Sequence, residues 1–312
     1  MTIAATKTLG LSVSLLFCAA LAAAQRTTTD STNTLPARTV QSYLMVVSVT
    51  INDRGPYDFL VDTGTNTTLI DPALAGELTL QPKDRLQLSS LASSRAVPRY
   101  FLQKFTAGPA SISNLEALAV PLTQLNALDN RIRGVLGMNF LLHFSFRLDF
   151  DRHAMELYPF PENAEVPPGL RVPVVINESR LLISVSSDAA PRGTWNLALD
   201  SGISQPLVFE QRIAQAAVSH GSRKTSRVMQ VSTNLAEHSA YTLQLDDVTI
   251  AEARLPQIEM VVLRNEQQKN SDPQDGLLPA VMFHSVFFDR ATATLVFTPS
   301  TEGESSAFLQ RP

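Results

Sequence analysis

Cysteine is all but missing from this sequence: its 312 residues hold one, Cys18. No intrachain disulfide can form, so a large core must carry the stability of the fold. A positive excess is missing too. The 25 Lys and Arg stand against 29 Asp and Glu, a net charge of -4, with no basic stripe anywhere, which argues against a nucleic-acid partner. The five histidines, His143, His153, His220, His238 and His284, show no paired metal-site spacing and read as surface or satisfied core residues. No Gly-x-Ser-x-Gly run exists to suggest a serine nucleophile. No cofactor is implied.

A membrane-spanning run is also lacking. The apolar stretch Leu9 to Leu21 is short for a bilayer, which needs roughly 20 residues. It follows Lys7 and leads into Ala22-Ala23-Ala24, the order of a secretory signal peptide cleaved after Ala24. The expected product is secreted or periplasmic, without stable membrane insertion after cleavage; an uncleaved anchor is the alternative. Cys18, preceded by Phe17, is leader filling, so the mature chain would have no cysteine. Residues 25–39, mostly Thr, Ser, Asn and Arg, read as a flexible linker.

What is present is a repeat. Phe59-Leu60-Val61 runs into Asp62-Thr63-Gly64, and after a polar turn the chain is apolar again at Leu69-Ile70. This reads as strand, tight loop, strand. A carboxylate at such a strand end is costly unless hydrogen-bonded, and the glycine behind it lets the loop turn. Leu197-Ala198-Leu199 runs likewise into Asp200-Ser201-Gly202, with Pro206-Leu207-Val208-Phe209 beyond. The two acids are 138 positions apart, and so are the dipeptides Asp151-Arg152 and Asp289-Arg290, which read as hairpin turns. Gly134-Val135-Leu136-Gly137 has its counterpart 142 positions on, in Gly276-Leu277-Leu278-Pro279.

Short β-branched and aromatic runs punctuated by Asp, Asn, Gly and Pro predict a mainly antiparallel all-β protein. Helices are expected only near Pro72 to Leu78 and Glu210 to Val218. Trp195 is expected in the core. The divisions are a lobe over 40–161, a joint at 162–169, a second lobe over 170–298 and a polar tail from 299.

Two carboxylates delivered by matching loops of a duplicated fold can meet across a pseudo-twofold axis. Two like charges at close range cannot both ionise cheaply, so the pair holds one proton. One acid can then act as base toward water while the other polarises a carbonyl. The chemistry is peptide-bond hydrolysis without metal or covalent intermediate.

The loops at Asp62 and Asp200, with Gly134 to Gly137 and Gly276 to Leu278, resemble the two halves of an aspartic protease of the pepsin and retropepsin type. The compact halves and the run Gly134 to Leu142 are closer to bacterial retroviral-like aspartyl proteases than to pepsin. The resemblance covers roughly Tyr43 to Phe297 and implies a duplicated bilobal fold with a few short helices. It makes Asp62 and Asp200 the catalytic acids and Thr63 and Ser201 the hydroxyls that cross-link the loops. Gly64 and Gly202 become the glycines that approach the carboxylates, and Thr65 a hydroxyl bonded to its acid. It further implies a monomer of two lobes acting on an extended polypeptide.

Three departures stand out. Ile203 occupies the place of Thr65 in the second copy, and Pro279 replaces a glycine and removes a backbone donor. Residues 89–106, where the family places a flap hairpin, contain no glycine; Tyr100 is available there, and His220-Gly221-Ser222 is its expected counterpart. A non-catalytic peptide-binding module on the same fold therefore stays open, as does a dimer that uses Asp62 alone.

Overall fold

The strand Leu44–Ile51 is buried along most of its length, because its runs of Val, Leu, Met and Ile can cover both faces of a sheet. Alternation sends Met45, Val47 and Val49 into the central core, while Leu44 and Val46 join a smaller cluster on the other face. The computed structural model describes residues 33–89, 94–159, 164–214, 224–233, 236–255, 257–264 and 273–298, all within the unit Thr32–Pro312. The leader with Cys18, linker residues 25–32, residues 90–93, 160–163, His220-Gly221-Ser222 and the tail from 299 lie outside the described residues.

Two sheets repeat one another. The first runs, in spatial order, Arg38–Val40, Leu44–Ile51, Arg54–Val61, Ile132–Leu136, Thr68–Ile70, Ala110–Ala119, Ser94–Ala107 and Asp84–Ser89. The second runs Val175–Asn177, Arg180–Ser186, Thr194–Asp200, Gly276–Pro279, Leu207–Phe209, Ile258–Leu263, Ala236–Leu245 and Lys224–Thr233, with a further hairpin beside Arg180–Ser186. In each, the strand that delivers the acid lies parallel to the strand that carries the glycine of the apolar-Gly segment, Phe59 opposite Gly134 and Leu197 opposite Gly276.

A third sheet joins the halves. Its order is Thr34–Pro36, Ala154–Pro159, Phe144–Asp149, Ser285–Asp289, Thr294–Thr298 and Leu170–Pro173, three strands from each half. Leu148 faces Val286 at its centre, and these two are again 138 positions apart, so the pseudo-twofold axis passes between them. Asp151-Arg152 and Asp289-Arg290 sit at the hairpin turns of this sheet. The central core includes Phe59, Phe146, Leu148, Trp195, Val286 and Phe288. Trp195 is buried there, its Nε1 donating to the Arg212 carbonyl at 2.7 Å.

The fold is all-β, and the described residues hold three short helices, Pro72–Glu77, Thr123–Leu128 and Met138–Leu141. The first begins as its sequence suggests, with the Asp71 carboxylate capping Ala73 N–H and proline in the first turn. Glu210–Arg212 forms a single 3-10 turn, and residues 215–218 of the second expected helix lie outside the described residues. One expectation is corrected outright. Residues 34–39, read as linker, supply the strand Thr34–Pro36 to the joining sheet and most of Arg38–Val40 to the first one, and Leu35 is buried. A polar strand at a sheet edge needs only a few apolar contacts, and composition hides it.

The glycines of the apolar-Gly segments are dictated by packing. A Cβ on Gly134 would lie 2.2 Å from the Phe59 ring, and one on Gly276 would lie 2.0 Å from the Leu207 carbonyl oxygen. Backbone cannot move aside as a side chain can. Gly276→Ala is expected to lower unfolding free energy by about 3 kcal/mol or more, as overpacking does. Gly76→Ala, in the helix Pro72–Glu77 with open space around it, should raise it by about 0.4–1 kcal/mol; urea denaturation measures both.

Candidate active site

Each acid stands where its strand ends. Asp62 follows Arg54–Val61, its N–H bonded to the Leu136 carbonyl at 3.1 Å, and Asp200 closes Thr194–Asp200 opposite Pro279 in the parallel register. The residues behind them interlock. Thr63 Oγ1 donates to the Leu199 carbonyl at 2.9 Å and accepts from Ser201 N–H at 3.0 Å. Ser201 Oγ donates to the Val61 carbonyl at 2.8 Å and accepts from Thr63 N–H at 3.1 Å. Both side chains are wholly buried, where an unmet hydroxyl costs about 1–3 kcal/mol, and each satisfies the other's loop.

This lock brings the carboxylates together. Gly64 passes so close beneath the second acid that a Cβ on it would lie 2.4 Å from Asp200 Oδ2, and a Cβ on Gly202 would lie 3.3 Å from Asp62 Oδ1. Each carboxyl group therefore acts on the proton affinity of the other. Their hydrogen-bond partners differ. Asp62 accepts from Gly64 N–H at 2.8 Å and from the Thr65 hydroxyl at 2.6 Å. Asp200 accepts from Gly202 N–H at 2.7 Å, and Ile203, in the place of Thr65, packs toward the apolar cluster of the second sheet.

Proton affinity follows from these contacts. Burial raises the Asp62 pKa above the ordinary carboxylate range, against the opposing pull of Thr65 and Gly64. Burial raises Asp200 further, the charge of Asp62 adds to it, and Gly202 alone among the donors opposes it. The pair is thus suited to hold one proton, with Asp200 the acid and Asp62 the carboxylate.

Pro279 has a structural counterpart. In the first half Gly137 N–H points to the Thr68 hydroxyl at 3.4 Å; the matching positions of the second half are Pro279 and Pro206. Donor and acceptor are lost together, leaving no unmet group. Asn139, which accepts from Thr68 and donates to the Glu116 carbonyl, belongs to the same first-half network.

The expectation for Tyr100 is corrected. Tyr100 lies mid-strand opposite Ala117, buried in the central core, because alternation turns it inward. The hairpin that pairs Ser89 with Ser94 has its second-half counterpart in the one that pairs Thr233 with Ala236, rather than at His220 to Ser222, which lie outside the described residues. Among the described residues no group of three His, Cys, Asp or Glu is placed to hold a metal ion.

One residue near the acids had no motif to reveal it. Burial raises the pKa of the half-buried Tyr43 first, with the Ser204 side chain opposing and the Asp200 charge adding.

A sequence family described as aspartyl protease matches residues 47–140, a span holding the whole of the first loop and Gly134 to Gly137. Among solved structures, a retropepsin-like aspartic protease from Rickettsia conorii is 20% identical, the alignment covering 40% of this chain and 89% of that one with a TM-score of 0.30. No curated protein matches the chain.

Because the folded-state pKa of Asp200 is raised, the acid favours the fold while protonated. That contribution is complete below the unfolded-state pKa of about 3.9 and is lost as pH rises through the folded value, at about 1.4 kcal/mol for each pH unit that separates the two. Asp200→Asn, which never ionises, should therefore be more heat-stable than wild type at pH 7 and gain little at pH 3. Calorimetry at the two pH values checks this.

Proposed function

We propose that this chain, which carries an aspartyl-protease match through its first half, is an exported aspartic endopeptidase using Asp62 and Asp200. The observation that carries the reading is the meeting of two acids from interlocked loops, close together and unequally hydrogen-bonded. Asp62, the better-supported carboxylate, takes a proton from water as the water oxygen attacks the scissile carbonyl carbon. The proton of Asp200 goes to the carbonyl oxygen. As the carbon–nitrogen bond breaks, Asp62 passes its proton to the leaving nitrogen and Asp200 recovers one from a hydroxyl of the collapsing diol. The pair ends as it began, with one proton.

The substrate is a polypeptide in extended form, able to pair with strand edges beside the acids. One chain supplies both acids, so a monomer of two lobes suffices. The leader 1–24 directs export, cleavage follows Ala24, and the enzyme acts in the periplasm or outside the cell. The binding-module alternative drew on Ile203 and Pro279. The matched loss at Pro206 and Pro279 accounts for the second of these without loss of chemistry.

Purified mature chain should cut unfolded protein at acid pH. Asp62→Asn and Asp200→Asn should each lower kcat by about 10²–10⁴-fold. Activity requires the shared proton and disappears as pH rises through the upper pKa of the pair, so its alkaline limb should lie above the ordinary Asp value of about 3.9. Loss with Asp62→Asn alone would instead indicate a dimer built on the first half, and no cleavage at any pH would leave only a binding cleft.

A further inference from the structure

Two stretches of chain occupy matching places in the two halves. Residues 34–40 pair first with Ala154–Pro159 at one edge of the joining sheet and then with Leu44–Ile51 of the first sheet. Residues 171–177, 137 positions on, pair first with Thr294–Thr298 at the other edge and then with Arg180–Ser186 of the second sheet. Each switches sheets at a residue whose N–H bonds to a hairpin-turn carbonyl, Ala37 to His153 at 2.8 Å and Val174 to Ala293 at 3.0 Å.

The residues after the switch differ. In the first half Arg38 is ion-paired with Asp58 at 2.7 Å and with Asp129, and the Thr39 hydroxyl meets His153 Nδ1 at 2.8 Å. In the second half the same places hold Val175 and Ile176, 65% and 46% exposed, two of the three large exposed apolar side chains among the described residues. Charge on an edge strand discourages further pairing, whereas an uncharged apolar edge invites it. The first-half edge is closed in this sense and the second-half edge is open.

The chain itself supplies a strand that fits. Thr298, the last described residue, ends the strand next to Leu170–Pro173, and residues 299–312 follow it. Ala307-Phe308-Leu309 is their one apolar run, with Glu302 and Glu304 before it. Because Thr294 pairs with Pro173, Ile176 lies about seven strand residues from Thr298, at most roughly 24 Å. Phe308, about ten residues beyond Thr298, can reach roughly 33 Å. Charge fits as well. Arg171 is exposed, with no ion pair among the described residues, and it precedes Ile176 by as many positions as Glu304 precedes Leu309. A segment laid parallel to residues 171–177 with Glu304 beside Arg171 thus sets Phe308 on Val175 and Leu309 on Ile176.

We propose that residues 299–312 fold back across Leu170–Pro173 and add a strand along residues 171–177, covering Val175 and Ile176 and shutting the second-half edge to other chains. Nothing in this docking depends on the protease reading.

Methyl NMR with a soluble paramagnetic agent tests it on the mature chain, a form ending at Thr298, and Phe308→Ser. The Val175 and Ile176 methyls should be shielded in the mature chain and lose that shielding in both altered forms, while the core methyls of Leu148 and Val286 stay shielded in all three. Added peptide 299–312 should restore the shielding of the shortened form. Equal broadening of the Val175 and Ile176 methyls in all three proteins would overturn the proposal, since nothing would then cover them. Shielding that persists without residues 299–312 would overturn it too. So would shielding that fades on dilution as a dimer dissociates in sedimentation, since the occupant would then be a second copy.

Discussion

The exchange of hydrogen bonds between Thr63 and Ser201 is the constraint on which the rest depends. Each hydroxyl is buried with no water to turn to, so each must find a donor and an acceptor in protein. Only the partner loop offers both, a main-chain N–H and a carbonyl one residue before the opposite acid. Satisfying them brings two carboxylates together, an arrangement that like charges would otherwise resist. The joining sheet, with Leu148 opposite Val286, holds the same axis at the centre of the molecule.

Symmetry ends where chemistry begins. The backbone frame is duplicated down to the parallel pairing of Phe59 with Gly134 and Leu197 with Gly276, yet the side chains around the acids differ. Asp62 has a hydroxyl and a backbone N–H; Asp200 has a backbone N–H and an apolar neighbour. The Thr68, Gly137 and Asn139 network of the first half gives way to Pro206, Pro279 and Val281 in the second. Unequal hydrogen bonding pulls two identical side chains toward different proton affinities. A duplicated frame with unequal loops can thus be a division of labour rather than decay.

Much of this was legible in the chain because it is locally encoded. The Asp-Thr-Gly and Asp-Ser-Gly loops each sit between apolar runs, the hairpin dipeptides repeat at the same spacing as the acids, and β-branched runs announce strands. What stayed hidden depends on contacts between distant segments. Thr34–Pro36 becomes a strand only because Ala154–Pro159 offers it an edge. Tyr100, next to Arg99, looks available until its register places it inside. The extra residue Tyr43 between the paired Val40 and Leu44, where the second half has only Glu178-Ser179 between Asn177 and Arg180, is invisible without the pairings on both sides, since a one-residue difference in a turn leaves no mark on composition or period.

The central claim is that Asp62 and Asp200 share one proton. Carboxyl-carbon NMR of the mature chain labelled at aspartate, with Asp62→Asn and Asp200→Asn supplying the assignments, follows both groups through a pH titration without any substrate. One carboxyl should remain protonated well above the ordinary Asp value of about 3.9, with the two resonances moving together at each step. Two independent titrations near that ordinary value would contradict the account.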